Sequence, residues 1–417
     1  MKVLWFTNTP SLSADHLKNK SIGGGWIGSL EAEFARIPFI ELGISFNYEH
    51  GIKPFTLNKT KYFPIHTTSP TGKVKNLVSR WRKPVENEGD IQAYLNVIDE
   101  FKPDIIHIFG TEGVFGLVIS KTNVPSVIHI QGNLTVYDYK WYSGITAVDV
   151  LRYSRKWNLL KGFGIYHQYR LNKKQAMRER RIFQQCKYFM GRTDWDRRIT
   201  SVLSPHAKYF HCDEMIRPLF YSHKWLPKDS ETSYILISTI RNNLYKGLET
   251  VFECKKLLNK ILGNNFTWKI AGINGQDEIS NLLERKYGST FQENGIDLLG
   301  ALQEKELIDE LLAADVFVHP SHVDNSPNSI CEAMLLGMPI IATYAGGIPS
   351  IIENHEEGLL IQDGDFHAMA GAVLEFHGNR SYATELGKKA RATAIKRHDP
   401  QKIIDTILKV YSAVNVQ

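Results

Sequence analysis

Short runs of β-branched and aromatic residues alternate with amphipathic stretches along the whole chain. Parallel strands that are joined by helices have this pattern, because helices cover both faces of a parallel sheet and its strands are apolar throughout. The sequence therefore predicts α/β domains with parallel, buried sheets. The predicted strands are residues 3–6, 105–108 and 127–130 in the first half and residues 234–237, 268–271, 315–318 and 339–342 in the second.

The length of 417 residues, with 43% hydrophobic residues, exceeds what one hydrophobic core usually supports. Two domains in tandem are therefore expected. The linker is placed between residues 217 and 232, where the strand and helix pattern is interrupted by Pro218 and a polar run. The predicted domains are residues 1–218 and 219–399, with a helix at about 400–417 that can pack back on the first domain.

Targeting and membrane signals are weak in this sequence. The opening apolar run is about four residues long, which predicts a strand and falls short of a signal peptide. No run approaches the roughly 18 apolar residues of a membrane-spanning helix. The 4 cysteines are far apart, which favours a reducing compartment. We expect a cytoplasmic protein that is not integral to a membrane.

The segment 322–347 carries the strongest chemical signal, and it follows the predicted strand 315–318. Ser326 is expected to cap a helix, with Pro327 at its first position and its end near Gly337. Backbone N–H groups in the first turn of such a helix bind anions, and here they predict a diphosphate site. These donors are Asn328, Ser329 and Ile330.

Two acids and two bases surround the predicted diphosphate site. Glu332 lies about one turn deeper in the helix, where a carboxylate suits the two donating hydroxyls of a ribose. Asp324 precedes the helix and is expected to hold hydroxyls of a sugar ring. Arg241 and Lys246 follow the strand 234–237 and can neutralise the charge that builds on a departing diphosphate. The alternatives are an ordinary first-turn glutamate favoured by the helix dipole for Glu332 and a turn residue for Asp324. For Arg241 and Lys246 the alternative is surface charge on a loop.

The motif around this helix resembles glycosyltransferase family 4. The family has two acids eight positions apart before a Gly-x-Pro strand, and Asp324 and Glu332 have this spacing ahead of residues 337–343. The Arg241 and Lys246 pair also matches. The first acid of the family is usually glutamate, so Asp324 is a departure. The resemblance is strong over about residues 232–366 and patchy over the first 220.

The resemblance implies the GT-B fold, with two Rossmann-like domains whose parallel sheets face a central cleft. It also implies retaining sugar transfer from a nucleotide-diphosphate sugar, with UDP slightly favoured over GDP and with no cofactor or metal. The first domain would lie on the acceptor side and the second would bind the donor. Further ligand contacts are implied for Gly24, Gly25, Gln131, Gly272, Leu299 and Gly300.

Other residues have competing interpretations. Asp194 and Asp196 resemble the metal-binding D-x-D pair of another glycosyltransferase fold, but the segment 191–196 is better explained as a strand end that turns into a helix. His107 and His129 lie on apolar strands and are expected to be structural. We therefore predict no metal ligands from the sequence.

Positive charge is concentrated in residues 152–198, where aromatic residues are interleaved with lysines and arginines. Such basic amphipathic segments favour anionic membranes, and the alternative is a solvated helix face. The sequence predicts reversible docking on the cytoplasmic face of the inner membrane, and no nucleic-acid partner. The acceptor would be a lipid-linked saccharide of a bacterial surface polysaccharide, such as lipopolysaccharide O-antigen, capsule or exopolysaccharide.

The sequence leaves other functions to be distinguished from sugar transfer. A non-catalytic partner that binds a nucleotide sugar is favoured only by the aspartate at position 324. A nucleotide-sugar epimerase or phosphorylase would need an active-site base or cofactor pocket, which the sequence does not indicate. A dinucleotide-dependent oxidoreductase lacks the G-x-G-x-x-G motif after the first strand.

Overall fold

The computed structural model describes residues 1–17, 25–66, 73–82, 84–228, 233–263 and 266–415. Its strands are β1 (Lys2–Phe6), β2 (Glu41–Tyr48), β3 (Phe55–Leu57), β4 (Thr60–His66), β5 (Ile105–Phe109), β6 (Ser126–His129), β7 (Tyr188–Gly191), β8 (Lys208–His211), β9 (Tyr234–Thr239), β10 (Phe266–Ala271), β11 (Ile296–Gly300), β12 (Val316–His319), β13 (Ile340–Thr343) and β14 (Leu359–Ile361). All seven predicted strands are confirmed to within two residues.

The helices complete the alternation with the strands. They are α1 (Gly25–Phe34), α2 (Lys73–Arg82), α3 (Glu88–Phe101), α4 (Leu134–Lys140), α5 (Ala147–Tyr153), α6 (Lys156–Leu160), α7 (Ile165–Gln185), α8 (Asp194–Leu203), α9 (Pro218–Ser222), α10 (Leu248–Leu262), α11 (Glu278–Tyr287), α12 (Glu304–Ala313), α13 (Asn328–Leu336), α14 (Phe366–Gly378), α15 (Arg380–Arg397) and α16 (Pro400–Asn415). Among the described residues, no helix is both long and apolar enough to cross a membrane.

The chain divides into two compact units. The first comprises residues 1–136, 170–217 and 398–417, and the second comprises residues 137–169 and 218–397. The prediction that residues 137–169 belong to the N-terminal domain is wrong. Trp141, Ile145 and Val150 pack into the hydrophobic core of the second unit, so their apolar burial keeps the segment there.

The first unit contains an eight-stranded sheet with the strand order β3-β4-β2-β1-β5-β6-β7-β8. Its strands pair in parallel except at the edge, where β3 and β4 are antiparallel, so the prediction of purely parallel sheets fails there. Val3 and Trp5 of β1 pack into one hydrophobic cluster, and Leu4 and Phe6 pack into another. The sheet is therefore buried on both faces, which explains why its strands are apolar throughout.

Helix α16 packs on the first sheet through its apolar face. The hydroxyl of Tyr411 accepts a hydrogen bond of 3.0 Å from Nε1 of Trp5 and lies 2.6 Å from Nδ1 of His107. His107 stacks on His129, and both rings are buried. Burial lowers the pKa of His129 to about 3, so its ring is neutral. The structural interpretation of the two histidines is therefore confirmed.

The second unit contains a six-stranded sheet with the order β11-β10-β9-β12-β13-β14, and all its neighbouring strands are parallel. Strands β10 and β11 lie on one side of β9, and strands β12, β13 and β14 lie on its other side. The loops that follow β9 and β12 therefore start at the same edge of the sheet and run in opposite directions. Ligands of open α/β sheets bind beyond the carboxyl ends of the strands at such a point.

Candidate active site

Lys246 and Asp324 are brought together at the carboxyl edge of the second sheet, although 78 positions separate them in sequence. Lys246 ends the short 3₁₀ turn Leu244–Lys246 that follows β9, and Asp324 lies in the loop after β12. Their Nζ and Oδ2 atoms are 2.5 Å apart, and the two side chains are 17% and 11% exposed. The lysine is therefore held in place by a nearly buried carboxylate.

His319, which sequence analysis did not single out, completes this group at the end of β12. Its Nε2 lies 3.3 Å from Oδ2 of Asp324. Burial alone would raise the pKa of Asp324, but the charge of Lys246 and the contact with His319 outweigh it and hold that pKa well below its usual value. Burial lowers the pKa of His319 against the opposing effect of Asp324. The aspartate is thus ionised and the histidine neutral at neutral pH.

Arg241 lies in the same loop as Lys246 but has a different environment, because its side chain is exposed. The structure therefore places one of the two predicted cations in a fixed, nearly buried position and the other at the surface. The predicted roles of both cations, and of Asp324 on a sugar ring, stay predictions. What the structure adds is that Asp324 contacts Lys246 and His319 within the protein.

Helix α13 begins one residue later than predicted. Pro327 has φ −71° and ψ 117°, so it is extended and occupies the position before the helix that was predicted for Ser326. The N–H of Ile330 donates to the carbonyl of Pro327 at 3.0 Å, so this predicted anion donor is already used inside the helix. Asn328 and Ser329 stay candidate donors. The predicted end is confirmed, because Gly337 closes the helix with φ 82°.

Glu332 lies one turn after the start of α13, as predicted, in a buried environment. Its side chain is buried, with 6% of the residue exposed. The helix residues on either side of Glu332, from Ile330 to Leu336, are buried as well, so the helix runs through the interior and not along a surface. Its predicted contact with a ribose stays a prediction.

Gly272 and Gly300, two of the glycines for which ligand contacts were implied, contact each other. Gly272, with φ 95°, donates its N–H to the carbonyl of Gly300 at 2.7 Å, and the N–H of Gly300 donates to Ile273 at 2.9 Å. An added Cβ on Gly272 would lie 2.6 Å from the carbonyl oxygen of Ile240. The N–H of Gly300 is thus engaged within the unit, and Leu299 lies at a register shift between β10 and β11.

A second charged group that the sequence did not indicate centres on His322. Its Nε2 lies 2.6 Å from Oε1 of Glu249, and its Nδ1 lies 3.4 Å from Oδ2 of Asp363. Asp363 also pairs with Lys140 at 3.3 Å, which links the inserted segment 137–169 to this group. Burial lowers the pKa of His322, but the two carboxylates outweigh it and the net pKa is raised above 6.5.

The stability of the second unit is therefore expected to depend on pH through His322. A raised pKa in the folded state means that the ion pairs stabilise fully below about pH 6.5 and lose their effect as pH rises through the folded pKa. His322→Gln should lower the free energy of unfolding at pH 6 by about 3 kcal/mol, the scale for breaking a buried pair. The difference from the wild type should shrink at pH 9, as measured by thermal unfolding.

His367→Gln is the matched control, because His367 lies exposed near the start of α14 in the same unit. It should leave the unfolding transition nearly unchanged at both pH values. A loss for His322→Gln of the same size at pH 6 and pH 9 would contradict the ion-pair explanation.

Of the predicted first-domain contacts, Gln131 is the best defined. Its Oε1 accepts hydrogen bonds from Nε1 of Trp26 at 3.1 Å and from Nη2 of Arg192 at 2.9 Å. Gly25 starts α1 with φ 53°, and an added Cβ there would have nothing within 4 Å. Gly24 lies outside the described residues.

The D-x-D resemblance is explained by helix capping. Thr193 caps α8, and Asp196 completes a capping box with it. Asp196 also accepts from the hydroxyl of Tyr209 at 2.5 Å, whereas Asp194 pairs at the surface with Arg197. The interpretation of this segment as a strand end that turns into a helix is confirmed.

Comparison with known proteins connects this geometry to a family. Residues 223–393 match the family described as "Glycosyl transferases group 1", and this range contains the Lys246, Asp324 and Glu332 positions. The matched residues all lie within the second unit. The resemblance to glycosyltransferases is therefore confirmed, whereas membership of family 4 stays a prediction.

A putative colanic acid biosynthesis glycosyltransferase, WcaL of Salmonella typhimurium, is 31% identical to the chain over 148 residues. That alignment covers 34% of this chain and 35% of WcaL. The aligned part of the first curated relatives is thus about a third of their length.

Two solved structures share the fold of this chain over nearly its whole length. Sucrose-phosphate synthase from Thermosynechococcus elongatus has a TM-score of 0.72 at 14% identity and covers 99% of both chains. Anabaena HepE in complex with UDP and glucose has a TM-score of 0.65 at 15% identity, again over 99% of both chains. The predicted GT-B fold class, with two Rossmann-like domains, is confirmed.

Proposed function

We propose that the protein is a retaining glycosyltransferase that moves a sugar from a UDP-sugar to a lipid-linked saccharide during synthesis of a bacterial surface polysaccharide. The observation that carries the proposal is the Lys246 and Asp324 pair at the carboxyl edge of a glycosyltransferase group 1 domain. The similarity to WcaL, a putative colanic acid biosynthesis glycosyltransferase, supports the polysaccharide assignment, and the HepE complex supports UDP as the nucleotide.

In the proposed reaction the bond between the anomeric carbon and the diphosphate oxygen breaks, and the electron pair leaves with UDP. The oxygen of the acceptor hydroxyl forms the new bond to the anomeric carbon on the same face, and its proton passes to the leaving phosphate. Negative charge grows on the diphosphate during this step. A fixed cation near the leaving oxygen is therefore the group that lowers the barrier most.

Lys246 is suited to that task because its ammonium group is already held in one position. Asp324 fixes it through the 2.5 Å contact, and the low pKa of Asp324 keeps the pair charged. The exposed Arg241 and the first-turn amides of Asn328 and Ser329 would bind the remaining diphosphate oxygens. In this proposal these groups take the place of a divalent metal.

UDP binding tests the proposal without knowledge of the sugar. UDP at about 100 times its dissociation constant should stabilise the protein by about 2.7 kcal/mol. The shift in thermal unfolding should persist in EDTA, and UDP release from an active UDP-sugar should persist as well. A shift or a turnover that is lost in EDTA and restored by manganese would contradict the metal-independent part of the proposal. A UDP shift without release from any UDP-sugar would favour the non-catalytic alternative.

Contact with an anionic membrane is the second part of the proposal, and the structure narrows the region concerned. Within the predicted segment 152–198, Arg178 is buried and donates to the carbonyl oxygens of Val85 and Glu112, while Arg181 pairs with Glu86. The side chains of Arg178 and Arg181 therefore make their contacts within the first unit. The prediction that the whole segment faces a membrane is therefore wrong for this part of α7.

The remaining candidate surface lies on α5 and α6, and we call it the basic apolar surface. It consists of Val148, Leu151, Arg152, Lys156 and Trp157. Its apolar members are 70%, 56% and 71% exposed in that order, and both basic residues are exposed. Large exposed apolar side chains beside basic residues favour an anionic lipid surface, where each basic residue contributes about 1 kcal/mol.

Arg152→Glu combined with Lys156→Glu should weaken binding to vesicles of phosphatidylglycerol and phosphatidylcholine by at least about 30-fold, as expected for two lost contacts. Sedimentation with these vesicles at low salt measures the effect. Lys305→Glu on α12, whose lysine side chain is 82% exposed, is the control and should bind nearly as the wild type does. Equal, weak binding of the wild type to anionic and neutral vesicles would instead indicate a soluble acceptor.

A further inference from the structure

Four neighbouring strands of the first sheet are each followed by a polar side chain. Asn8 follows β1, Glu112 follows β5, Gln131 follows β6, and Arg192 follows β7 directly. These strands are adjacent and parallel, so their carboxyl ends lie at one edge of the sheet. Such an edge is where open α/β sheets bind ligands. Glu112 was not singled out by its sequence context.

Glu112 and Gln131 lie side by side over a glycine. Gly110 has φ 84°, and a Cβ added there would lie 2.0 Å from Oε2 of Glu112 and 2.9 Å from Cγ of Gln131. Because Gly110 has no side chain, there is room for the side chains of both Glu112 and Gln131. Nδ2 of Asn8 donates to Oε2 of Glu112 at 3.3 Å.

The residues behind this group are fixed and buried. Arg192 is 2% exposed, and its guanidinium lies 4.6 Å from the ring centre of Trp26, which is 5% exposed. Both donate to the side-chain oxygen of Gln131. Glu112 and Gln131 themselves are half-buried. Half-buried hydrogen-bonding groups on a buried, fixed support are the arrangement of a ligand site.

The charged groups that face Glu112 come from α7. Arg178 donates to the backbone carbonyl of Glu112, and Glu179 lies close enough to repel its carboxylate. Burial raises the pKa of Glu112 to about 7, with a further contribution from Glu179, while Asn8 and the local backbone oppose the rise. Glu179 is itself held by Thr111 and Thr135. The carboxylate of Glu112 therefore changes charge near neutral pH.

We propose that Glu112, with Gln131 and Asn8, forms a site for the hydroxyl groups of a pyranoside on the first unit. A carboxylate accepts from two neighbouring sugar hydroxyls, and the exposed amide of Asn8 supplies a donor and an acceptor. Gln131 borders the site, because its side-chain oxygen already accepts from Trp26 and Arg192. The site rests on the proposed function, in which the chain takes a sugar acceptor. Glu112 would be the residue that makes acceptor binding depend on pH.

A panel of octyl glucoside, galactoside, mannoside and N-acetylglucosaminide, each kept below its micelle concentration, tests the site on the full chain by saturation-transfer NMR and titration. At least one should bind the wild type, and its affinity should rise between pH 6 and pH 8 as Glu112 ionises, because hydrogen bonds to a charged acceptor are the stronger ones. Glu112→Gln should lower the affinity at pH 8 by about tenfold or more and should remove the pH dependence. Gly110→Ala, which displaces the carboxylate, should have a similar effect.

Glu41→Gln is the control, because its carboxylate pairs with Lys2 at the surface of the same unit, and it should bind as the wild type does. Binding of none of the glycosides to the wild type, or equal affinity of the wild type and Glu112→Gln, would overturn the proposal. UDP binding in the thermal assay should survive Glu112→Gln. A wild type that does not bind UDP in the thermal assay would instead contradict the proposed function.

Discussion

Lys246→Met is expected to lower the rate of UDP release from the donor sugar by about 100-fold or more, while the protein stays folded. The scale is that of losing one preorganised charge that stabilises a transition state. Methionine keeps an unbranched side chain that is one heavy atom shorter, and it removes the charge that pairs with Asp324. The measurement is the initial rate of UDP release over a panel of UDP-sugars, and the loss should lie in kcat.

Lys305→Met is the matched control for this variant. Lys305 pairs with Asp309 at 2.9 Å, as Lys246 pairs with Asp324, but its side chain is 82% exposed. The control should have the kcat of the wild type, whereas Arg241→Ala should lose activity on the same scale as Lys246→Met. An effect of Lys246→Met on KM alone would show that the lysine binds the ground state and does not stabilise the departing diphosphate.

Glu332→Gln is expected to reduce turnover of UDP-sugars by at least about 100-fold. Two ribose hydroxyls would donate to the carboxylate, and hydrogen bonds to charged groups are the stronger ones in proteins. Glutamine has the same shape, which matters because Glu332 is buried and an alanine would leave a cavity beside α13. The comparison of variants then reports on charge and not on packing.

The ribose contact itself can be measured with two nucleotides. The wild type should bind UDP more tightly than 2′,3′-dideoxyuridine diphosphate, and Glu332→Gln should discriminate between them far less. Glu385→Gln, on the exposed side of α15, should discriminate as the wild type does, since its side chain is 64% exposed. Equal discrimination by the wild type and Glu332→Gln in calorimetric titrations would place the ribose elsewhere.

Local patterns in the sequence were enough to predict seven of the fourteen described strands and the end of α13. The GT-B fold class followed from the resemblance to glycosyltransferase family 4. Strands such as β1 and β5 are apolar throughout because both faces of the sheet are covered. This pattern can be recognised in the sequence of one strand, without knowledge of the strands that pair with it. The glycine at position 337 stops α13 through its own backbone conformation. The spacing of Asp324 and Glu332 also belongs to one continuous segment. These features depend on residues that are close together in the chain.

Features that depend on contacts between residues far apart in the chain were decided only by the tertiary structure. Residues 137–169 belong to the second unit because Trp141 and Val150 fit its core, and no local pattern states which core an amphipathic segment will join. Asp324 contacts Lys246, and His322 contacts Glu249, through loops that only the sheet order brings together. The burial of Glu332 and the position of Glu112 beside Gln131 likewise follow from packing across the chain. Long-range packing sets the environment of each charged group, and that environment sets its pKa.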